Sequence, residues 1–301
     1  MKFGGHETFP VREGWLFKGM RLIESDAEAF NRPHVADEIG VGRNMAKAIR
    51  HWLLVTQLAE PTPSEDDRKR KQLHLSEVGR LIWDRDPYCL QYGTWAALHV
   101  NLLNQGTHDY CRAWHWFFNL FPENRFDRLT CTAGLERFVE RHENRRPATK
   151  TLQRDVACLL NMYSTPVPAD NADPEDASDS PFRRLGLLTL FRDSNAYRRN
   201  GASVEALPPE VLGYALKACG CDSGAIPLRE ACFYDGGPGR AFQLGIDSFL
   251  DFVENAEKGP AGSGLRLVGS AGERFIQLGY LRAPNWLEAY YDRIRAYPRA
   301  A

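Results

Sequence analysis

Between His34 and Trp83 the spacing of apolar positions switches from a helical period to an alternating one and back. That order predicts helix, turn, helix, hairpin and helix. Val35-Ala36-Asp37-Glu38-Ile39 reads as a short helix that Gly40-Val41-Gly42 breaks. From Arg43 a longer helix follows, because Met45, Ile49, Trp52 and Leu53 fall on one stripe that can face a core. Its other side carries Arg43, Asn44, Lys47, Arg50 and His51. Val55 to Glu60 then predicts a strand, Pro61-Thr62-Pro63-Ser64 a turn, and Gln72-Leu73-His74-Leu75 a return strand. The tip of this hairpin holds four consecutive cations, Arg68, Lys69, Arg70 and Lys71. Ser76 is placed to cap the closing helix, with Leu81, Ile82 and Trp83 packing inward.

The same reading extends along the chain. Gly4, Gly5 and Pro10 keep the first dozen residues out of regular structure, and a helix starts near Gly14 with Trp15, Leu16, Met20 and Ile23 on its apolar face. Helices are predicted from Gly93 to Asn104, from Phe126 to His142, and from a Thr149 cap to Tyr163. In the last of these Leu152, Val156, Leu159 and Leu160 point inward while Lys150, Gln153 and Arg154 point out, as in a second helix-turn-helix-like unit or an ordinary solvated face. Trp114, Trp116, Phe117, Phe118 and Phe121 have few cations among them and read as core rather than as a base-stacking surface. Ser164 to Pro181 is acidic, rich in proline and without a basic residue, which predicts a loop or linker. Beyond it come a short helix end running into a strand at Leu185 to Phe191, a polar hairpin from Ala196 to Ser203, and a helix begun by Pro208-Pro209-Glu210. A short helix follows at Ile226 to Phe233, then one from Asp247 to Glu257, and strand-like Leu265 to Val268 ahead of Phe275 to Leu281.

The pattern therefore predicts a mainly α fold with small β-wings: an N-terminal winged helix-turn-helix, a helical middle and a C-terminal winged-helix-like domain. The expected boundaries are an arm and winged-helix domain over 1–90, a middle domain over 91–163, a linker over 164–181 and a C-terminal domain over 182–301.

Composition narrows the function classes. With 301 residues, 43% of them hydrophobic, the chain can bury a sizeable core. Lys and Arg (38) nearly balance Asp and Glu (39), so any nucleic-acid footprint has to be a local patch. No apolar run reaches the roughly 20 residues of a membrane span, and no secretory pattern opens the chain. Together with seven cysteines, an odd count that argues against a disulfide framework, this predicts a cytoplasmic protein.

Arg and Asn are the residue types that contact base edges from the start of a recognition helix, and a basic hairpin tip suits the neighbouring phosphates. Arg43, Asn44, Lys47, Arg50 and His51, with Arg68 to Lys71, are the expected contacts to double-stranded DNA. No metal and no cofactor is expected. Cys219-Gly220-Cys221 with Cys232 lacks the paired spacing of a zinc site, and Gly236-Gly237-Pro238-Gly239-Arg240 lacks the Gly-Lys-Ser/Thr of a phosphate loop. His6 and Glu7 read as an acid/base pair with Arg12 as an anion clamp, or as part of an arm whose Phe3 and Phe9 pack on the first helix.

The opening Phe3-Gly4-Gly5-His6-Glu7-Thr8-Phe9, with Arg12 and Gly14-Trp15-Leu16-x-Lys18-Gly19, resembles an uncharacterised bacterial family with this N-terminal signature. The resemblance continues through Leu75 to Trp83, Asp86-Pro87-Tyr88, Thr94-Trp95 and Leu152 to Val156. It implies a setting beside phosphoadenosine-phosphosulfate-reductase-like proteins, in loci for DNA phosphorothioate modification and phage defence. It carries over no catalytic residue. Fold and resemblance together predict a non-catalytic DNA-binding component of such a system; that it works with a reductase-like or ATP-pyrophosphatase-like partner is implied by the resemblance alone. The alternatives are a transcription regulator of the defence operon, which would need a homodimer on a two-fold operator, and a nuclease or sulfur-transfer subunit.

Overall fold

A computed structural model describes residues 3–63, 71–104, 111–167, 180–221, 224–259, 264–270 and 272–296. The apolar stripe of Trp15, Leu16, Met20 and Ile23 winds α1 (Trp15–Ser25) onto α3 (Arg43–Val55). Gly19 permits their close approach, since a Cβ there would lie 2.6 Å from Leu53 Cδ1. The short α2 (Val35–Glu38) ends at Gly40, whose φ of 66° turns the chain into α3.

Beyond α3 the strand begins later than the pattern suggests. Val55 ends the helix, Thr56 Oγ1 donates back to the Trp52 carbonyl and Leu58 N–H to that of Leu53, at 2.5 and 3.0 Å. β1 (Ala59–Pro63) then pairs antiparallel with β2 (Lys71–Leu75), from Ala59 opposite Leu75 to Pro63 opposite Lys71. Pro61 and Pro63, expected in the turn, lie in the strand instead. A two-stranded sheet leaves β1 an edge, where a missing N–H breaks no second ladder. Ser76 caps α4 (Glu77–Arg85) as expected, its Oγ accepting from Gly79 N–H at 2.9 Å.

α5 (Tyr92–Leu103) is buried from Gly93 to Leu103 and forms the centre of the molecule. Around it pack α6 (Arg112–Asn119), whose aromatic residues fill the core, α8 (Thr149–Tyr163), which meets α6, and α9 (Pro209–Ala218). α7 (Arg128–His142) lies on α8. Thr149 is the first helical residue of α8 rather than its cap: Ala148 stands at the cap position with no side-chain bond.

A four-stranded sheet runs in the order β3 (Arg125–Asp127), β6 (Ala196–Arg199), β5 (Leu188–Phe191), β4 (Ser164–Val167), with β4 parallel to β5 and the other pairs antiparallel. The acidic stretch is thus not linker from its start: Ser164–Val167 is sheet, and residues 168–179 lie outside those described. A third sheet joins β7 (Gly224–Pro227), β9 (Glu273–Leu278) and β8 (Leu265–Ser270) beside α10 (Leu228–Phe233) and α12 (Ile246–Lys258), with α11 (Pro238–Ala241) packed on α10. α13 (Ala283–Ala296) closes the chain by packing Trp286 against Gly213 of α9. The fold is mixed α and β, mostly helical with small sheets. Among the described residues no helix is long and apolar enough to cross a membrane.

Candidate nucleic-acid interface

The N-terminal arm is locked between α3 and α8. Asp155 projects from the buried side of α8, where its Oδ1 accepts from Gly4 N–H at 2.9 Å and from His6 Nε2–H at 2.7 Å. Thr8 N–H donates to His6 Nδ1 at 3.1 Å, so that nitrogen carries no proton and the tautomer is set. His6 stacks over Trp52 of α3 and meets Trp114 of α6 edge-on, with ring centroids 6.3 and 5.6 Å apart. Trp52 Nε1–H donates to the Phe9 carbonyl at 3.0 Å and fastens the far end of the arm to α3.

This geometry explains both glycines. Gly4 has φ 76°, and a Cβ on Gly5 would lie 2.5 Å from His51 Nδ1. The arm also holds two non-glycine residues in the left-handed region, Glu7 at φ 50° and Thr8 at φ 74°. For a β-branched residue that conformation is costly and persists only where surrounding bonds enforce it. Between arm and helices lies a cleft of about 350 Å³ lined by Phe3, Gly4, His6, Glu7, Thr8, Asn44, Thr151 and Arg154.

Arg43 and Asn44, at the start of α3, are exposed, as are Lys150, Gln153 and Arg154 of α8. Arg43, Lys150 and Arg154 make no ion pair among the described residues. Lys47 is also exposed, and its Nζ lies 3.6 Å from Glu7 Oε1 and 3.4 Å from Asn44 Oδ1. Arg50 is half-buried and engaged within the fold. His51 turns towards the arm; burial first, then the neighbouring His6, pushes its pKa down to about 3, so it offers no positive charge near neutral pH. Lys71 opens β2 and is exposed, and its carbonyl accepts from Asn31 Nδ2. Arg68, Lys69 and Arg70 lie outside the described residues.

The residues of the opening stretch divide by role. His6 is engaged at both nitrogens, which leaves none for proton transfer to a substrate, and Glu7 faces Lys47. Arg12 is not an anion clamp in the cleft: its guanidinium stacks on Phe9 and Trp15, 5.7 and 5.4 Å from their centroids, pinning the arm to α1. Asp155 escaped the sequence pattern as a site residue. Its signal was present, a carboxylate on the stripe of Leu152, Val156 and Leu159.

Other candidates resolve into packing. Cys219 Sγ and Cys221 Sγ are 3.6 Å apart, but Cys232 is directed to the Leu244 carbonyl. Among the described residues no three His, Cys, Asp or Glu side chains are grouped to hold a metal ion. In the glycine-rich turn, Gly236 N–H donates to Asn119 and its carbonyl accepts from Asn104, while a Cβ on Gly239 would fall 2.1 Å from the Cys232 carbonyl. Those glycines serve close approach.

Fold and site together define a mostly helical chain whose arm is clamped between two helices with exposed basic faces. It belongs to the family of proteins of unknown function DUF4007, whose model matches residues 3–291. Two solved structures are similar over 99% of this chain and 90% of their own, each with a TM-score of 0.85. One is described as an SspB crystal structure, at 29% identity, and the other as a magnesium ion-bound SspB crystal structure, at 27%. No curated protein matches the chain.

Proposed function

We propose that this protein is a DNA-binding component of a DNA phosphorothioate-modification or phage-defence system, with α2, α3, β1, β2 and α4 as a winged helix-turn-helix. The observation that carries the reading is the arm. Tied to Asp155 on one side and Trp52 on the other, it holds α3 and α8 together, with Arg43, Lys150 and Arg154 exposed and without an ion pair among the described residues. In this reading Arg43, Asn44 and Lys47 enter the major groove. Lys150 and Arg154 hold phosphates beside it, and the hairpin with Lys71 at the loop end of its ladder does the same on the far side. His51 supports the arm rather than reading bases. The modification setting and the reductase-like or ATP-pyrophosphatase-like partner come from the motif resemblance; the likeness to SspB bears on the setting and not on the partner.

The test is duplex binding by the purified protein across a salt series. Arg43→Ala with Arg154→Ala should weaken binding and make log Kd less dependent on log salt, by about 0.9 for each phosphate no longer neutralised. An unchanged slope sinks the interface, and no binding at low salt sinks the function.

The magnesium ion in one similar structure favours a second reading, a metal-dependent nuclease. The described residues supply no cluster of three metal-ligating side chains, so in this reading one or two carboxylates and water would hold the ion. Nicking of supercoiled plasmid in magnesium but not in EDTA would select this reading over the first.

A further inference from the structure

Among the described residues the four-stranded sheet has one covered face and one open face. Phe126, Tyr197, Leu190 and Pro166 form a register row turned to the core. Phe126 and Tyr197 are buried, and Leu190 and Pro166 are half-buried. On the other face a row runs Arg125, Arg198, Thr189, Thr165 across all four strands, about 14 Å at the usual strand spacing. Beside it runs a second row, Asp127, Ala196, Phe191, Val167. Arg125, Arg198, Thr165 and Val167 are exposed.

Two features of this face call for an anionic ligand. Arg125 and Arg198 stand directly opposite one another on antiparallel strands, where like charges destabilise the pair. Neither has a carboxylate partner among the described residues: Arg198 Nε donates to Asn200 Oδ1 at 3.2 Å, and the Arg125 side chain makes no hydrogen bond or ion pair with any of them. Both guanidiniums lie by the Phe191 ring, 5.5 and 5.3 Å from its centroid, so the two cations and the aromatic ring are grouped on this face. Asp127 is the one acid in the two rows, and it is occupied in capping α7, its Oδ1 accepting from Thr130 N–H at 2.7 Å.

We propose that this open face binds single-stranded DNA, with Arg125 and Arg198 on successive phosphates and unpaired bases against the exposed parts of Phe191 and Val167. The argument for a single strand is the mixture of surfaces. A duplex hides its base faces and would use only the cations, whereas cations interleaved with an aromatic ring and an apolar edge suit a strand whose bases are free to stack. The site stands on the sheet alone and does not depend on the duplex interface at α3 and α8.

The experiment is fluorescence anisotropy of a labelled 12-nucleotide oligothymidylate with the full chain, in a salt series, using the wild type, Arg125→Ala/Arg198→Ala, and Arg43→Ala/Arg154→Ala. The first double variant is expected to bind at least tenfold more weakly, with a salt slope reduced by about 1.4 for two single-strand phosphates no longer neutralised. Its unfolding midpoint should be unchanged or raised, because a repulsive pair has been removed. The second double variant should bind the oligonucleotide as the wild type does. A further variant, Thr165→Lys, adds a cation to the same row and should tighten binding several-fold. The proposal is overturned if the wild type does not bind oligothymidylate at low salt, or if removing both arginines leaves affinity unchanged. Equal competition by an unlabelled blunt duplex would also overturn it, because the face would then read phosphate charge alone. Loss of duplex binding in the Arg43/Arg154 variant with oligothymidylate binding intact separates the two interfaces.

Discussion

Asp155 carries a carboxylate onto the apolar side of α8, where it is 1% exposed, and both of its bonds go to the arm. Asp155→Ala would leave the Gly4 N–H and the His6 Nε2–H without acceptors, at about 1–3 kcal/mol for each buried donor. Asp155→Asn keeps an acceptor oxygen and should be the milder change. Urea midpoints of the two variants check this order, and faster hydrogen exchange at the amides of Gly4 and Thr8 in Asp155→Ala would show that the arm is what loosens. His99 sets a pH dependence. It is wholly buried on α5, accepting from Tyr163 OH at Nδ1 and donating from Nε2 to the Ala241 carbonyl, both at 2.8 Å, and burial pushes its pKa down to about 4. Between pH 6.5 and 4 the unfolded chain therefore binds a proton that the folded one refuses. Stability is full above that window and falls through it, by up to about 3 kcal/mol from this residue. His51 acts in the same direction. For His115, burial alone would lower the pKa, but the bonds to Asp235 and the Leu103 carbonyl outweigh it and the net shift is upward. Its contribution is present at low pH and is lost only as pH rises through the raised value. A urea midpoint that falls between pH 7 and 5, and falls less in His99→Gln, is the expected result; an equal midpoint at both pH values refutes it.

At the scale of elements, α4 is set by one contact that sequence periodicity does not contain. A Cβ on Gly79 would sit 1.9 Å from the backbone oxygen of Leu58, and backbone cannot swing aside. Gly79→Ala should therefore destabilise by more than about 2 kcal/mol, although Ala is the better helix former. A thermal unfolding midpoint at or above the wild type would contradict this contact. The same distinction separates what was legible in the pattern from what was not. The stripes of α1, α3 and α8 and the Ser76 cap are local signals, and they appear where the pattern puts them. β1 starts later than expected because Thr56 and Leu58 bond back onto α3, and β4 exists because its edge finds β5 more than twenty residues away.

For the molecule as a whole, α13 is the element that joins the ends. Trp286 packs on Gly213 of α9, Tyr290 OH accepts from Gly93 N–H, and Tyr291 OH meets Thr94 Oγ1, which donates to Asp86. Glu210, almost fully buried on α9, is held by two bonds from Arg293 at 2.6 and 2.9 Å. Trp286→Ala should cost about 3–5 kcal/mol and open a cavity between α9 and α13. Calorimetry of that variant would show a single lowered transition if the C-terminal helix is part of the same cooperative unit, and two transitions if it is not. This helix was absent from the sequence-based expectation, although Trp286, Leu287, Tyr290, Tyr291 and Ile294 have helical spacing.

The sequence by itself determined the helical stripes, the Ser76 cap, the turn at Gly40 and the exposure of Arg43, Asn44, Lys47, Lys150 and Arg154, because each depends on neighbours within a few residues. Only the tertiary structure decided that His6 meets a carboxylate 149 positions away, that His51 turns inward, and that Arg125 faces Arg198 across a sheet. Those relations come from packing among segments distant in the chain, and hydrophobic periodicity holds no record of which distant segments meet.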